Sequence, residues 1–448
     1  MLAGTIVASN YLEMAKLLAR SFLDQHADGS FSILLVDDLD VGVPADDGAA
    51  IEIVRLGDLA IDAADLDRMR TIYDVMELST AVKPAFLARL LERGDLACYI
   101  DPDVFVYRSF TDLVTVARDV GVVLTPHVLT PIPRDGRAPT ERQIMQSGVF
   151  NLGFIAVGRS ARPMLDWWQE RLLLDAVSDV EANLFTDQRW VDWVPALFEH
   201  AVCRDPGMNI AWWNIHEREL ERRGAELLAN GSPVRFVHFS GYSPADPHTF
   251  SKHQVPTPRT EHDGVIRELA EEYGAALLAS GHAERIGVPY QWATTDDGVR
   301  LTPTVRSTVR RAILGGARTR SETETIDDTV PSAFGPTAAR FRAWLTEPVA
   351  GDGEVSFSRA EVGLWDSRAD LRIAFADRDG VHAAPYRNWL DHDPSVAEAL
   401  PGLVPDRVDA AGASAGRSVR PRRPVTHVGR VTRRLVRPVV ARVRSLAR

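Results

Sequence analysis

Hydrophobic positions along the first hundred residues recur with two alternating periods. Thr5–Ala8 is a short apolar run, and from Tyr11 onward Met14, Leu17, Leu18 and Phe22 recur at helical spacing. Apolar runs at Phe31–Val36 and Ile51–Leu56 predict two strands, the first ending in Asp37 and Asp38. Ser79 and Thr80 are placed to cap a helix with an apolar face of Val82, Phe86, Leu87, Leu90 and Leu91, and Gly94 marks its stop. Leu96–Ile100 reads as a buried strand, and further strands are expected at Val120–Leu124, Gly153–Val157 and Val234–His238. Between the last two lies an amphipathic helix that uses Leu165, Trp168 and Leu172. Strands alternating with helices predict an α/β fold, a mostly parallel sheet with helices on both faces.

The pattern changes after about Tyr290. Residues 316–333 are polar and weakly periodic, as in an exposed linker. A smaller, mostly helical C-terminal module follows, with an internal echo of Phe341-Arg-Ala-Trp344-Leu345 in Tyr386-Arg-Asn-Trp389-Leu390. The bland account of the echo is two helices that each anchor one Trp in a small core. The expected organisation is therefore a sheet domain at 1–290, a connecting segment at 291–333, a small helical module at 334–400, and a Pro/Gly-rich linker with a basic tail at 401–448.

With 45% hydrophobic and 25% charged residues in 448, the chain has the balance of an ordinary globular protein. Its net charge of −11 is unevenly spread: residues 417–448 hold eleven Arg and no acid, leaving −22 on the remainder. Phosphate backbones repel so acidic a body, and no nucleic-acid partner is expected. The tail could adhere to an anionic membrane surface, at ~1 kcal/mol per basic residue, or remain solvated; Pro438 interrupts any continuous helix there. Cys98 and Cys203 lack metal-type spacing, which fits a reducing cytoplasm. The N-terminus reads as a first strand, and no apolar run nears the ~18 residues of a membrane span. The expected location is cytoplasmic, with peripheral contact at the inner membrane face through the tail.

In open α/β sheets, ligands sit beyond the carboxyl ends of the strands. The polar residues found there are Ser9-Asn10-Tyr11, Asp37-Asp38 and Asp101-Pro-Asp103. Asp101 and Asp103, spaced i and i+2 after an apolar strand, are two hard oxygen donors suited to Mg²⁺ or Mn²⁺. A divalent ion would help a diphosphate leave as a Lewis acid. His238 ends another apolar strand and is a candidate third ligand, and Gly241 would let backbone approach a diphosphate. Trp212, Trp213 and Asn214 form a candidate sugar wall, because aromatic faces pack on sugar CH surfaces and Asn supplies hydrogen bonds. Buried core Trp is the competing account.

Residues 1–255 resemble the retaining nucleotide-sugar transferases of GT-A fold, close to glycosyltransferase family 8 (the glycogenin and lipopolysaccharide galactosyltransferase group). The matching segments stand in the family's order: Ala8-Ser-Asn-Tyr-Leu12, Lys83, Asp101-Pro-Asp103, Asn151-Leu-Gly153, Asp187-Gln188 and His238-Phe-Ser-Gly241. The resemblance implies a GT-A-type, Rossmann-like mixed sheet with helices on both faces, and a metal-dependent hexosyltransferase that moves a sugar, with retention, from a nucleotide-sugar, a uridine diphosphate sugar above all. The acceptor would be a hydroxyl of a glycan or glycolipid, in cell-envelope synthesis. Ala8 and Tyr11, with Asn10 between them, would line the base and ribose pocket. Asp101, Asp103 and His238 would hold Mn²⁺ or Mg²⁺ against the diphosphate. Lys83 would contact donor phosphate or sugar, and Asn151 and Gly153 would face the donor sugar. Asp187 and Gln188 would sit near the anomeric carbon as the catalytic pair; alternatively, Asp187 caps the helix running through Trp190 and Trp193. The family's closing H-x-x-G-x-x-K-P-W is not kept here, and Lys252 is the nearest candidate for its phosphate-binding lysine.

Two other classes remain open on sequence. A strand followed by D-x-D-V also resembles a haloacid-dehalogenase-type phosphatase, with Asp101 as nucleophile and Asp103 as acid/base. A catalytically inactive GT-A-like binding or scaffold protein is the non-enzymatic alternative.

Overall fold

The computed structural model describes residues 1–39, 51–253, 263–349 and 355–404. The basic tail and its membrane-binding expectation lie outside the described residues. The chain divides into two compact units: Met1–Ala293 with Ala317–Glu324, and Thr294–Gly316 with the described residues from Thr325 onward.

The first unit is built on strands β1 (Leu2–Val7), β2 (Ser30–Leu35), β3 (Ile51–Arg55), β4 (Leu96–Ile100), β5 (Val104–Val106), β6 (Val122–Pro126) and β7 (Phe150–Gly158). All but β5 join strand His200–Val202 in a seven-stranded sheet, ordered His200–Val202, β6, β7, β4, β1, β2, β3. β1 pairs in parallel with β2 and β4, and β7 runs antiparallel to β4 and β6. The sheet is thus mixed, as the resemblance implies, with the antiparallel β7 set into an otherwise mostly parallel order. β1, β2 and β4 are buried along almost their whole length, which explains why they read as continuous apolar runs and not as alternations.

Both faces are covered. Ala3 and Val7, Phe31, Ile33 and Leu35, and Cys98 and Ile100 share one core with Leu18 and Phe22 of helix α1 (Leu12–Gln25). On the other face, a Cβ added to Gly4 would lie 2.6 Å from the ring of Phe86, so the helix carrying Phe86 presses directly on β1. Each fully buried Leu or Phe contributes ~1.5–3 kcal/mol, which makes these two layers the main source of stability.

Helix starts differ from the expected ones. Ser79 and Thr80 lie inside helix α3 (Val75–Ala81), which follows α2 (Ala63–Ile72). Asp74 caps α3, with Glu77 closing a capping box; this carboxylate pair satisfies the free amides at a cap five residues before the serine. Helix α4 (Lys83–Arg93) then begins at Lys83 with Pro84 in its first turn and gives way to extended backbone at Gly94.

In the second unit, Thr302 caps helix Pro303–Ile313, a stretch expected to be connector. Val305, Val309 and Ile313 are its buried stripe. It packs against helix Arg359–Ser367 at Gly363, where a Cβ would fall 1.7 Å from Thr308 Oγ1. Residues 317–324, also placed in the connector, belong to the first unit. The echoed segments are helical, but the Trp residues are not their anchors. Phe341, Leu345, Tyr386 and Leu390 are buried, whereas Trp344 and Trp389 are half-buried under the guanidiniums of Arg359 and Arg368. Among the described residues, no helix is long and apolar enough to cross a membrane.

Candidate functional site

The carboxyl ends of β1, β2 and β4 share one edge of the sheet. Because β7 is antiparallel, its amino end meets that edge too, with Phe154 opposite Ile100. Strand Phe236–His238 pairs antiparallel with β5 and sets His238 opposite Val104. Its backbone is strapped on both sides: Phe239 N–H donates to Asp103 O at 2.8 Å, and His238 N–H to Ile210 O at 2.8 Å.

These constraints bring Asp101, Asp103 and His238 together. Ligating atoms from the three lie within 4.8 Å of one another. His238 Nε2 is 3.0 Å from Asp103 Oδ1 and 3.7 Å from Asp101 Oδ2. The imidazole is buried, but the carboxylates remain 31% and 27% exposed, open enough for a ligand to reach them. Tyr99 donates its hydroxyl to Asp101 Oδ1 at 2.7 Å and orients that carboxylate.

Electrostatics separate the two acids. Burial raises Asp101 above the usual carboxylate range, and the charges of Lys83 and His238 only partly offset it. Burial also opposes the Asp103 charge, but His238 outweighs it and holds this carboxyl below its ordinary value. Burial works against an imidazolium at His238, yet Asp103 and Asp101 raise it above the ordinary histidine value.

Lys83 and Asp187 form a buried ion pair of 2.6 Å. The Lys83 ammonium also donates to Leu152 O at 2.9 Å and lies 4.1 Å over the Tyr99 ring. Its partners are therefore internal, and it reaches the Asp101 side of the site through Tyr99. The Asp187 side chain makes no cap bond to the short helix Gln188–Val191, so the alternative capping role is not what the structure shows. Thr186 before it holds a left-handed backbone, φ 47°, a strained choice for a β-branched residue.

Gln188 is clasped by the backbone beside β7. Its Oε1 accepts from Leu152 N–H at 2.9 Å, and its amide donates to Ser147 O at 2.8 Å. Asn151 is buried, and its Oδ1 accepts from Gly153 N–H at 3.2 Å and from Asn209 at 3.0 Å. Gly153 has no room for a side chain, because a Cβ would fall 2.3 Å from His238 Cε1.

The loop after β1 is pinned by Asp37, which accepts from Ser9 N–H at 3.0 Å and from the Ser9 hydroxyl. Ala8 is buried, Asn10 holds a buried Oδ1 that lacks a hydrogen-bond partner among the described residues, and Tyr11 is 39% exposed. Burial and then the Asp103 carboxylate raise the Tyr11 phenol, so this loop shares the acidic site's field.

Gly241 sits at φ 74°, with no space for a Cβ against His253. Lys252 is exposed and bonds through its backbone to Gly241 O at 3.0 Å. Trp213 packs edge-on against His238 at 5.1 Å, with Trp212 beside it at 6.0 Å. Asn214 does not join a sugar wall. It is wholly buried, and its amide is committed to Ala211 N–H, His127 O and Asn209 O.

Sequence reasoning missed His127 and Asn209. His127 is buried against Trp213 and bonds Val149 O and Asn151; burial, with a smaller effect of His238, lowers it to about 4. Asn209 takes a left-handed backbone, φ 52°, and bonds Asn151 and His238.

Two proteins of Bacillus subtilis (strain 168) are similar in sequence, both uncharacterized. YfnF is 27% identical over 252 residues, which is 53% of this chain and 80% of YfnF. YfnD is 26% identical over 175 residues, 37% of this chain and 54% of YfnD. No protein-family model matches the chain. Similar solved structures include the galactosyltransferase LgtC in complex with donor and acceptor sugar analogs, at TM-score 0.36 and 16% identity, covering 65% of this chain and 99% of LgtC. The glycosyltransferase GlyE of Streptococcus pneumoniae TIGR4 matches at TM-score 0.35 and 12% identity, covering 65% of each chain. At such scores the functional reading rests on the site's own geometry.

Proposed function

We propose that the first unit is a metal-dependent glycosyltransferase of GT-A type, moving a hexosyl group with retention from a uridine diphosphate sugar to a hydroxyl of a glycan or glycolipid. The observation that carries this reading is the convergence of Asp101, Asp103 and His238 at the carboxyl edge of the sheet. Two carboxylates and one imidazole are a donor set suited to Mn²⁺ or Mg²⁺. With Asp187 included, three carboxylates face one ammonium, Lys83; a divalent cation would neutralise the excess. Bound there, it would supply charge neutralisation to a departing diphosphate.

The remaining residues bind and orient. Tyr11, Asn10 and Ala8 would receive the base and ribose, with the Asn10 carbonyl oxygen as an acceptor awaiting a donor. Gly241 and the loop carrying Lys252 would cover the phosphates. Asn151 and Gly153 would face the donor sugar. Asp187 and Gln188 would flank an oxocarbenium-like centre, Asp187 supplying negative charge while paired with Lys83, and Gln188 held by Leu152 and Ser147 as a positioning amide. Trp212 and Trp213 are themselves buried and would back the sugar side from behind His238, against which Trp213 packs. Cell-envelope assembly is the proposed setting.

A thermal-shift panel of nucleotide-sugars with and without Mn²⁺ tests the assignment. Ligand at about 100 times its Kd adds ~2.7 kcal/mol to the folded state, so a uridine diphosphate sugar with Mn²⁺ should raise the melting temperature clearly. Absence of any such shift, or phosphate release from an aryl phosphate that is abolished in Asp101→Asn, would overturn it.

A further inference from the structure

His127, Asn151, Asn209 and His238 are all buried, and they form one hydrogen-bonded file. A backbone carbonyl can only accept, and this gives the file a direction. Val149 O is 3.2 Å from His127 Nδ1, so the proton of the neutral ring sits on Nδ1 and Nε2 is an acceptor. Asn151 Nδ2, 3.3 Å away, donates to that Nε2. The Asn151 amide has an independent anchor, because Gly153 N–H donates to its Oδ1 at 3.2 Å. The same Oδ1 accepts from Asn209 Nδ2 at 3.0 Å. Asn209 therefore turns Oδ1 toward His238 Nδ1, at 3.3 Å, and this ring nitrogen must carry a proton.

We propose that this file is a tautomer lock: the Val149 carbonyl, through His127, Asn151 and Asn209, keeps the His238 proton on Nδ1 and leaves Nε2 to a divalent cation. The proposal rests on the metal-dependent reading above. Nε2 is the ring atom nearest both acids, 3.0 Å from Asp103 and 3.7 Å from Asp101. The opposite tautomer would aim an N–H at the cation and a lone pair at the Asn209 carbonyl oxygen, losing at both ends. Asn209 and His127 are thus positioning residues. The left-handed turn at Asn209 points its amide into the file, and Asn214 Nδ2 holds that turn by donating to Asn209 O at 2.9 Å.

The test uses the full chain labelled with ¹⁵N-histidine, and two variants. Asn209→Gly tolerates the positive φ and removes the amide; His127→Phe keeps a ring against Trp213 and removes the acceptor. Imidazole ¹⁵N shifts should show His127 protonated at Nδ1 alone. Calorimetry should show Mn²⁺ affinity reduced ~10–100-fold in Asn209→Gly, with a smaller loss in the same direction for His127→Phe. If Asp103→Ala loses Mn²⁺ while both variants bind it as wild type does, the lock is wrong and the metal reading stands. If the wild-type chain binds no Mn²⁺, the metal reading fails and the lock with it. A His127 protonated at Nε2 overturns the lock by itself.

Discussion

The Lys83 ammonium lies 2.6 Å from the Asp187 carboxylate, with both side chains 2% exposed. A pair so buried gains little over an apolar pair of the same shape, but breaking it strands a charge. Lys83→Met or Asp187→Leu alone should each cost about 3–5 kcal/mol in urea unfolding. The double substitution should cost much less than the two together. Additive losses would show that the pair is not energetically coupled.

Gly153 leaves its side-chain space to His238. Gly153→Ala puts a methyl 2.3 Å from Cε1 and 2.7 Å from Nδ1, so the imidazole must move. Overpacking of this kind costs ~1–3 kcal/mol, and displacement of a ligating ring should weaken Mn²⁺ binding ~10–100-fold. Wild-type affinity in a folded Gly153→Ala protein would contradict the placement of His238.

His127 gives the pH dependence its sign. Burial lowers it to about 4, whereas in the unfolded chain it titrates near ~6.5. Between those values the unfolded chain binds a proton that the folded one refuses. Stability from this group is complete above ~6.5 and is lost as pH falls through the folded value, by up to ~1.4 kcal/mol per pH unit. The wild-type stability curve minus that of His127→Phe should slope in this window, and a flat difference would count against a buried neutral ring.

In the second unit, Gly363 sets the approach of helices Pro303–Ile313 and Arg359–Ser367. A methyl there would fall 1.7 Å from Thr308 Oγ1 and 2.6 Å from Thr308 Cβ. Gly363→Ala should destabilise this unit by ~1–3 kcal/mol, and Thr308→Ala, which removes the Oγ1 in the way, should recover part of the loss. Thermal unfolding of the four combinations reads this directly.

What was legible in the sequence follows from locality. β1, β2, β4 and the acids after β4 were readable because buried strands are continuous apolar runs and ligands gather beyond their ends. His238 was readable for the same reason. The Asp74–Glu77 capping box is equally local, but Ser79 and Thr80 stand nearer the apolar stripe and offer a competing cap signal. Thr302-Pro303, followed by Val305, Val309 and Ile313, likewise carries a complete helix signal inside the expected connector at 291–333. His127 and Asn209 had no such signal. They act through Asn151, 24 and 58 residues away, and such distances become neighbours only once β6, β7 and strand Phe236–His238 are assembled. Asn214 misled because an amide beside two Trp residues reads equally well as a sugar contact or as a loop brace.

Titration calorimetry of uridine diphosphate against the wild-type chain and Asp103→Ala, each with and without Mn²⁺, reaches the heart of the account. It predicts binding by the wild type only when Mn²⁺ is present, and none by Asp103→Ala under either condition, with the variant's melting temperature little changed. Binding that is indifferent to Mn²⁺, or undiminished in Asp103→Ala, would contradict it.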